Sequence, residues 1–168
     1  MIQPLITKDE IAQYKQISKT PNNDKINQII NEAQLLDVSV LLGNEFFNKI
    51  IKDPSSYTDL LDGGDYIYKD VTYTNYGLKM VIIYYTWARY VMFGSQIDTP
   101  FSMVEKLNGD KSQPVSEASK KSAYSTSRDE AFQLWENVRL YLIRTDNPDY
   151  KKCKIPPNSR GFRMTKIN

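Results

Sequence analysis

The sequence predicts a mainly α-helical fold: a small bundle of three to four helices, with a short β-hairpin insertion and an extended C-terminal tail. Three features carry that expectation. Apolar residues recur with i, i+3, i+4 and i+7 spacing in two long stretches, around residues 24–52 and 116–144. Residues 78–93 form a third stretch that is apolar on every side. Ahead of it, aromatic and β-branched residues flank a two-residue link, Lys69-Asp70, in the manner of a hairpin.

The 168 residues suit one domain, long enough to bury a core without disulfide or metal staples. The helical domain is expected over residues 1–148 and a basic tail over 149–168.

A short helix opens the chain. Thr7 caps it, and Glu10 three residues on closes a capping box. Ile6, Ile11 and Tyr14 supply its apolar contacts, and Thr20-Pro21-Asn22-Asn23 breaks it. The next helix starts at Asn23 or Asp24 and sets Ile26, Ile29, Ile30, Ala33, Leu36 and Val40 on one face. Leu41, Phe46, Phe47, Ile50 and Ile51 prolong the pattern to Lys52, with Gly43 as a kink or interruption. Asp53 before Pro54 ends it, because the residue before a proline avoids helical geometry.

A loop with the turn Asp62-Gly63-Gly64-Asp65 follows. Tyr66-Ile67-Tyr68 and Val71-Thr72-Tyr73 make the hairpin, which at this size must pack on helices or on another chain. The third helix runs from near Asn75 to near Gly94. Leu78, Val81, Ile82, Tyr85 and Met92 lie on one face; Met80, Ile83, Tyr84, Trp87 and Val91 lie on the other. Residues 96–113 read as a loop. A long helix then runs from Ser116 towards Arg144, serine-rich at first and later periodic through Ala131, Leu134, Trp135, Val138, Tyr141 and Leu142. Thr145-Asp146-Asn147-Pro148 stops it.

Composition narrows the chemistry. The chain has no histidine, which removes the usual general base and the histidine-activated nucleophiles. Its one cysteine, Cys153, allows neither an internal disulfide nor a cysteine-based zinc site. A net charge of +2 argues against a protein that coats nucleic acid over its whole surface. Charge is unevenly spread, −3 over residues 1–84 and +5 over residues 85–168, so like copies attract through unlike regions. The start Met1-Ile2-Gln3-Pro4 lacks the features of an export signal, and the most apolar stretch is too short and too charged for a membrane span. Synthesis in a reducing cytoplasm is the expectation.

No catalytic residue, cofactor or metal is nominated. Asp59, Asp62, Asp65 and Asp70 form an acidic loop, yet lack the closing glutamate of a calcium loop, and turn propensity alone explains aspartate beside glycine. Ser119 and Lys120 are adjacent on a helix and do not face each other. Cys153, beside Lys151, Lys152 and Lys154, reads as a solvated thiol.

Interaction residues are more evident. Tyrosine stands at 12 residues, and tyrosine suits interfaces. Tyr66, Tyr68, Tyr73 and Tyr76 crowd one turn, too closely for all to be buried in one copy. Tyr84, Trp87 and Tyr90 sit on the two-sided helix. Contact between subunits is the favoured reading, with plain core as the alternative. In the tail, Lys151, Lys152, Lys154, Arg160, Arg163 and Lys166 interleave with Phe162, Met164 and Ile167. Apolar anchors among cations favour docking on protein, ahead of nucleic-acid contact or a merely solubilising end.

The order of elements resembles a known family. A short helix precedes a long one ending Leu41-Leu42-Gly43-Asn44-Glu45-Phe46-Phe47. A hairpin leads to the aromatic helix Gly77-Leu78-Lys79-Met80-Val81-Ile82-Ile83-Tyr84-Tyr85-Thr86-Trp87-Ala88. Thr99-Pro100-Phe101-Ser102-Met103-Val104-Glu105-Lys106 and a last helix closing Leu140-Tyr141-Leu142 complete it. This pattern, over residues 5–147, resembles the head-tail connector, or adaptor, proteins of tailed bacteriophages, with the flavour of Bacteroidetes phages of the crAss-like group.

The resemblance implies a virion protein at the neck, the portal–tail junction. It implies a ring of about twelve copies beneath the portal protein, meeting the next neck or tail ring. Packaged double-stranded DNA would pass through its lumen, and the tail would grip the portal or a neighbouring subunit. It carries over no catalytic residue. A stopper or tail-terminator ring, or a small nucleic-acid-binding regulator using the basic tail, are the alternatives.

Overall fold

The computed structural model describes residues 3–17, 23–94, 96–98, 103–105 and 115–150. Helix α1, Lys8–Tyr14, has the expected capping box: the Glu10 amide donates to Thr7 Oγ1 and the Thr7 amide donates to the Glu10 carboxylate at 2.6 Å. Ile6 and Ile11 are buried, but Tyr14 is exposed and not a core contact, because the helix ends at it and its ring lies beyond the covered face.

The long second helix is not continuous. Helix α2, Asn23–Ala33, passes into a π-helical turn, Gln34–Val38, then into α3, Ser39–Leu42. Gly43, at φ +84°, breaks the chain before α4, Asn44–Lys52. A π turn inserts one residue into the helical ladder, so the buried face shifts by one position beyond it. Val38 and Leu42 are therefore buried, together with polar Gln34, Asp37 and Ser39. Leu36 and Val40, expected in the core, stand 60% and 75% exposed.

The expected loop after α4 is largely helical: a 3₁₀ turn, Pro54–Tyr57, and α5, Thr58–Leu61, which bury Leu60 and Leu61. Two adjacent leucines in so short a segment show no period in sequence. The hairpin forms as expected, with β1, Gly64–Tyr68, antiparallel to β2, Val71–Asn75, and Tyr66 opposite Tyr73. Lys69 and Asp70 both have positive φ, at 51° and 62°, the type I′ geometry that matches strand twist.

The hairpin is locked to the helices at its base. A Cβ on Gly63 would lie 2.4 Å from the Asn75 carbonyl oxygen, and one on Gly77 would lie 2.6 Å from that of Leu61. Buried Asn75 ties the junction, donating to the Asp59 carbonyl at 2.8 Å and accepting from the Gly77 amide at 3.1 Å. Helix α6, Leu78–Phe93, starts after this junction and not at Asn75.

Within the expected loop of residues 96–113, β3, Gln96–Asp98, pairs antiparallel with β4, Met103–Glu105. Three-residue strands carry too little alternation to be read in advance. Helix α7, Glu117–Arg144, is capped by Ser116, whose hydroxyl accepts from the Ser119 amide. Helix α6 packs along α2 and along α7. Among the described residues, Ile30, Val38, Phe46, Ile50, Val81, Ile82, Ala131, Val138 and Leu142 belong to one hydrophobic core.

Candidate functional site

The hairpin tyrosines Tyr66, Tyr68 and Tyr73 are half-buried against α7. Arg144 lies 3.9 Å from the Tyr73 ring centroid and 5.5 Å from that of Tyr68, a cation–π contact. Its Nη1 donates to the Tyr66 hydroxyl at 3.0 Å. Tyr66 also meets Tyr141 edge-on at 5.0 Å. Asn137 joins both chains of backbone, donating to the Thr74 carbonyl and accepting from the Tyr76 amide. One face of the hairpin is thus covered within the chain; Tyr76, Ile67 and Val71 remain exposed.

On α6, Trp87 and Tyr90 stack at 5.5 Å, and the Lys15 ammonium sits 3.9 Å above the Tyr84 ring. All three aromatics are half-buried, whereas Ile83 of the same side is buried. Two further apolar faces are open. Leu35, Leu36 and Val40 project from the π turn and α3, and Phe132 and Leu140 project from α7. Leu140 lies nine residues from buried Ala131, half a turn round the helix, so it faces away from α6.

Three charged clusters brace the body. Asp37, buried in the π turn, accepts from Arg89 Nε and from Arg128 Nη1, each at 2.7 Å. It thereby joins the π turn, α6 and α7. Burial opposes the charge on Arg128, but Asp37 outweighs it and holds the guanidinium more firmly protonated than usual. Lys79 pairs with Asp62 at 2.7 Å and Glu10 at 3.1 Å, and the bond to Asp62 raises its affinity for the proton. At the other end Asp149 accepts from Lys49 at 2.7 Å and from the Tyr57 hydroxyl at 2.8 Å. The Lys49 bond holds the Asp149 carboxyl below its usual range. Tyr150 packs beside Phe46 and Trp135, so Asp149 and Tyr150, read as the start of the tail, lie on the body.

Sequence reasoning missed the Asp37 hub. Its one signal is a lone charge within Leu35-Leu36-Asp37-Val38. Of the acidic loop, Asp62 is paired with Lys79 and Asp65 accepts from the Thr74 hydroxyl. Among the described residues, no group of three or more carboxylates or thiols is arranged to hold a metal ion. No helix among them is long and apolar enough to cross a membrane. Lys151, Lys152, Lys154, Arg160, Phe162, Arg163, Met164, Lys166 and Ile167 lie outside the described residues, as does Cys153.

These elements coincide with a known family profile over residues 38–159. The chain belongs to the DUF6712 family. That family is described as one of unknown function. No curated protein and no solved structure matches the chain. The DUF6712 region opens at the last residue of the π turn and takes in the hairpin, α6, α7 and the Asp149–Tyr150 anchor. Asp37 and α2 precede it.

Proposed function

We propose that this protein is a structural, non-catalytic component of a phage virion. It forms a ring at the neck, between the portal protein and the next neck or tail ring, around the DNA path. The resemblance to head-tail connectors is one support. The observation that carries the reading is the pair of unlike, outward apolar faces, Leu36 and Val40 at the π turn and Phe132 and Leu140 on α7. A ring needs two different patches on each copy, so that each contact is heterologous and the series closes. Many weak identical contacts then give high total avidity.

In this arrangement the half-buried Tyr84, Trp87 and Tyr90 reach the neighbouring copy, and polar surface faces the DNA channel. The serine-rich first half of α7 or the Asp62–Asp70 segment is the surface assigned to the lumen, since sliding DNA needs few cations to hold it.

Native mass spectrometry and negative-stain imaging of the pure protein, alone and mixed with its phage's portal protein, test this reading. Rings, or a complex with portal, are the expected result. Leu36→Lys with Val40→Lys should lower assembly by at least roughly tenfold while helicity is kept, since neither side chain supports the core. A protein that stays monomeric alone and with portal overturns the reading. Tight, salt-sensitive binding of duplex DNA by that monomer would instead favour the regulator.

A further inference from the structure

We propose that the outward face of the β1–β2 hairpin receives the cationic segment 151–168 of a neighbouring copy. This deepens, and rests on, the ring reading above. Residues alternate across a strand, and Tyr66 and Tyr73 lie against α7. Asp65, Ile67, Thr72 and Thr74 therefore make the opposite face. Ile67 there is 76% exposed, and exposed Tyr76 follows just past the end of β2; Val71, paired with Tyr68, lies on the tyrosine side. Around them residues 53–76 expose Asp53, Asp59, Asp62, Asp65 and Asp70 and carry one cation, Lys69, with Lys79 of α6 paired to Asp62. An exposed isoleucine beside carboxylates is what this sheet face offers.

Residues 151–168 answer both features. They hold six cations, Lys151, Lys152, Lys154, Arg160, Arg163 and Lys166, and no acid. Phe162, Met164 and Ile167 supply the apolar anchors. The place where the segment leaves the body is fixed: Asp149 is held by Lys49 and Tyr57, and Tyr150 lies beside Phe46 and Trp135. Eighteen residues extended at about 3.3 Å each reach roughly 60 Å. A domain of this length is only about 40 Å across, so a segment anchored on one copy spans to the next.

A charge swap in the full-length chain tests this. One variant reverses the face, Asp65→Lys with Asp70→Lys. The other reverses the segment, Lys151→Glu, Lys152→Glu and Lys154→Glu. Each alone sets like charges together and should weaken assembly by at least roughly tenfold, with unchanged circular dichroism. Mixed in equal amounts, the two place opposite charges at every contact, and assembly should return with both variants in equal numbers. A mixture that stays as weak as its components shows that the segment does not dock on a neighbouring copy, and overturns the inference. Two variants that each assemble like the wild type also overturn it, while leaving the ring reading intact. A wild type that never assembles, even with portal, overturns both.

Discussion

Replacing Asp37 removes a buried carboxylate from between two guanidiniums, and the size of the loss follows from their surroundings. The Asp37 side chain is 3% exposed, that of Arg89 is 12% and that of Arg128 is 37%. Breaking a buried ion pair by deleting one partner costs about 3–5 kcal/mol, because the other charge is left uncompensated. Arg128 is open enough to regain water, so its share is nearer the roughly 0–1 kcal/mol of a surface pair. Among the described residues, Arg89 then keeps Glu32, at 3.5 Å. Asp37→Ala should therefore cost about 3 kcal/mol. With a urea slope of about 2 kcal/mol per molar, the midpoint falls by roughly 1.5 M. Arg89→Ala should cost more than Arg128→Ala, and Asp37→Asn should lie between Asp37→Ala and the wild type. Urea unfolding followed by far-UV circular dichroism reads all four. An Asp37→Ala midpoint within about 0.3 M of wild type, or an Arg128→Ala loss larger than that of Arg89→Ala, would refute the account of a brace centred on the π turn.

Gly77→Ala should destabilise by about 2–4 kcal/mol, since it forces a side chain to φ +83° against the Leu61 carbonyl; a melting temperature within 2 °C of wild type, roughly half a kcal/mol at this size, would contradict the junction's geometry. Arg144→Ala should loosen the hairpin while sparing the core, read as faster amide exchange at residues 64–75 with the midpoint of global unfolding unchanged. Glu10 and Asp149 sit below their ordinary values of 4.5 and 3.8, so their contribution is complete above those values and is lost as pH falls through the lower folded ones. With no histidine in the chain, thermal midpoints should be level from about pH 5.5 to 8 and fall only in acid; a step near pH 6.5 would sink this.

Much of the fold was legible because local rules and tertiary packing agree. Thr7 and Glu10, Lys69-Asp70 and Ser116 each specify a structure that needs only neighbours in sequence. The periodic half of α7 buries Ala131, Trp135, Val138 and Leu142 as its spacing requires. What escaped was structure set by distant partners. The β3–β4 ladder and α5 are too short to show a period, and Asp149 and Tyr150 join the body through Lys49, Tyr57, Phe46 and Trp135. The hairpin tyrosines are crowded in sequence, but their inner partner, Arg144, lies 71 residues beyond Tyr73 and leaves no local sign.

The π turn is where sequence and structure part most sharply, and it is the place most informative about function. By period alone, Leu36 and Val40 continue the face of Ile26, Ile30 and Ala33 into the core. The fold instead buries Gln34, Asp37 and Ser39 and turns Leu36 and Val40 out. Burying polar groups in place of available leucine and valine is unfavourable within one chain. The Nε2 of Gln34 in the π turn and the Oγ1 of Thr86 on α6 are buried without hydrogen-bond partners among the described residues, which adds to the cost. Asp37 recovers part of it through Arg89 and Arg128. The rest is offset if the outward leucine and valine are covered in the assembled state, at about 0.8 kcal/mol per methylene-sized group removed from water. A chain that worked as a monomer would gain by losing the extra residue. Deleting Leu36 should restore the α-helical ladder without moving Asp37 or Val38 off the buried face, and leave the monomer at least as stable as wild type. The same deletion should abolish assembly. A deletion variant that is folded, stable and fully assembled would show that the exposed pair does no interfacial work.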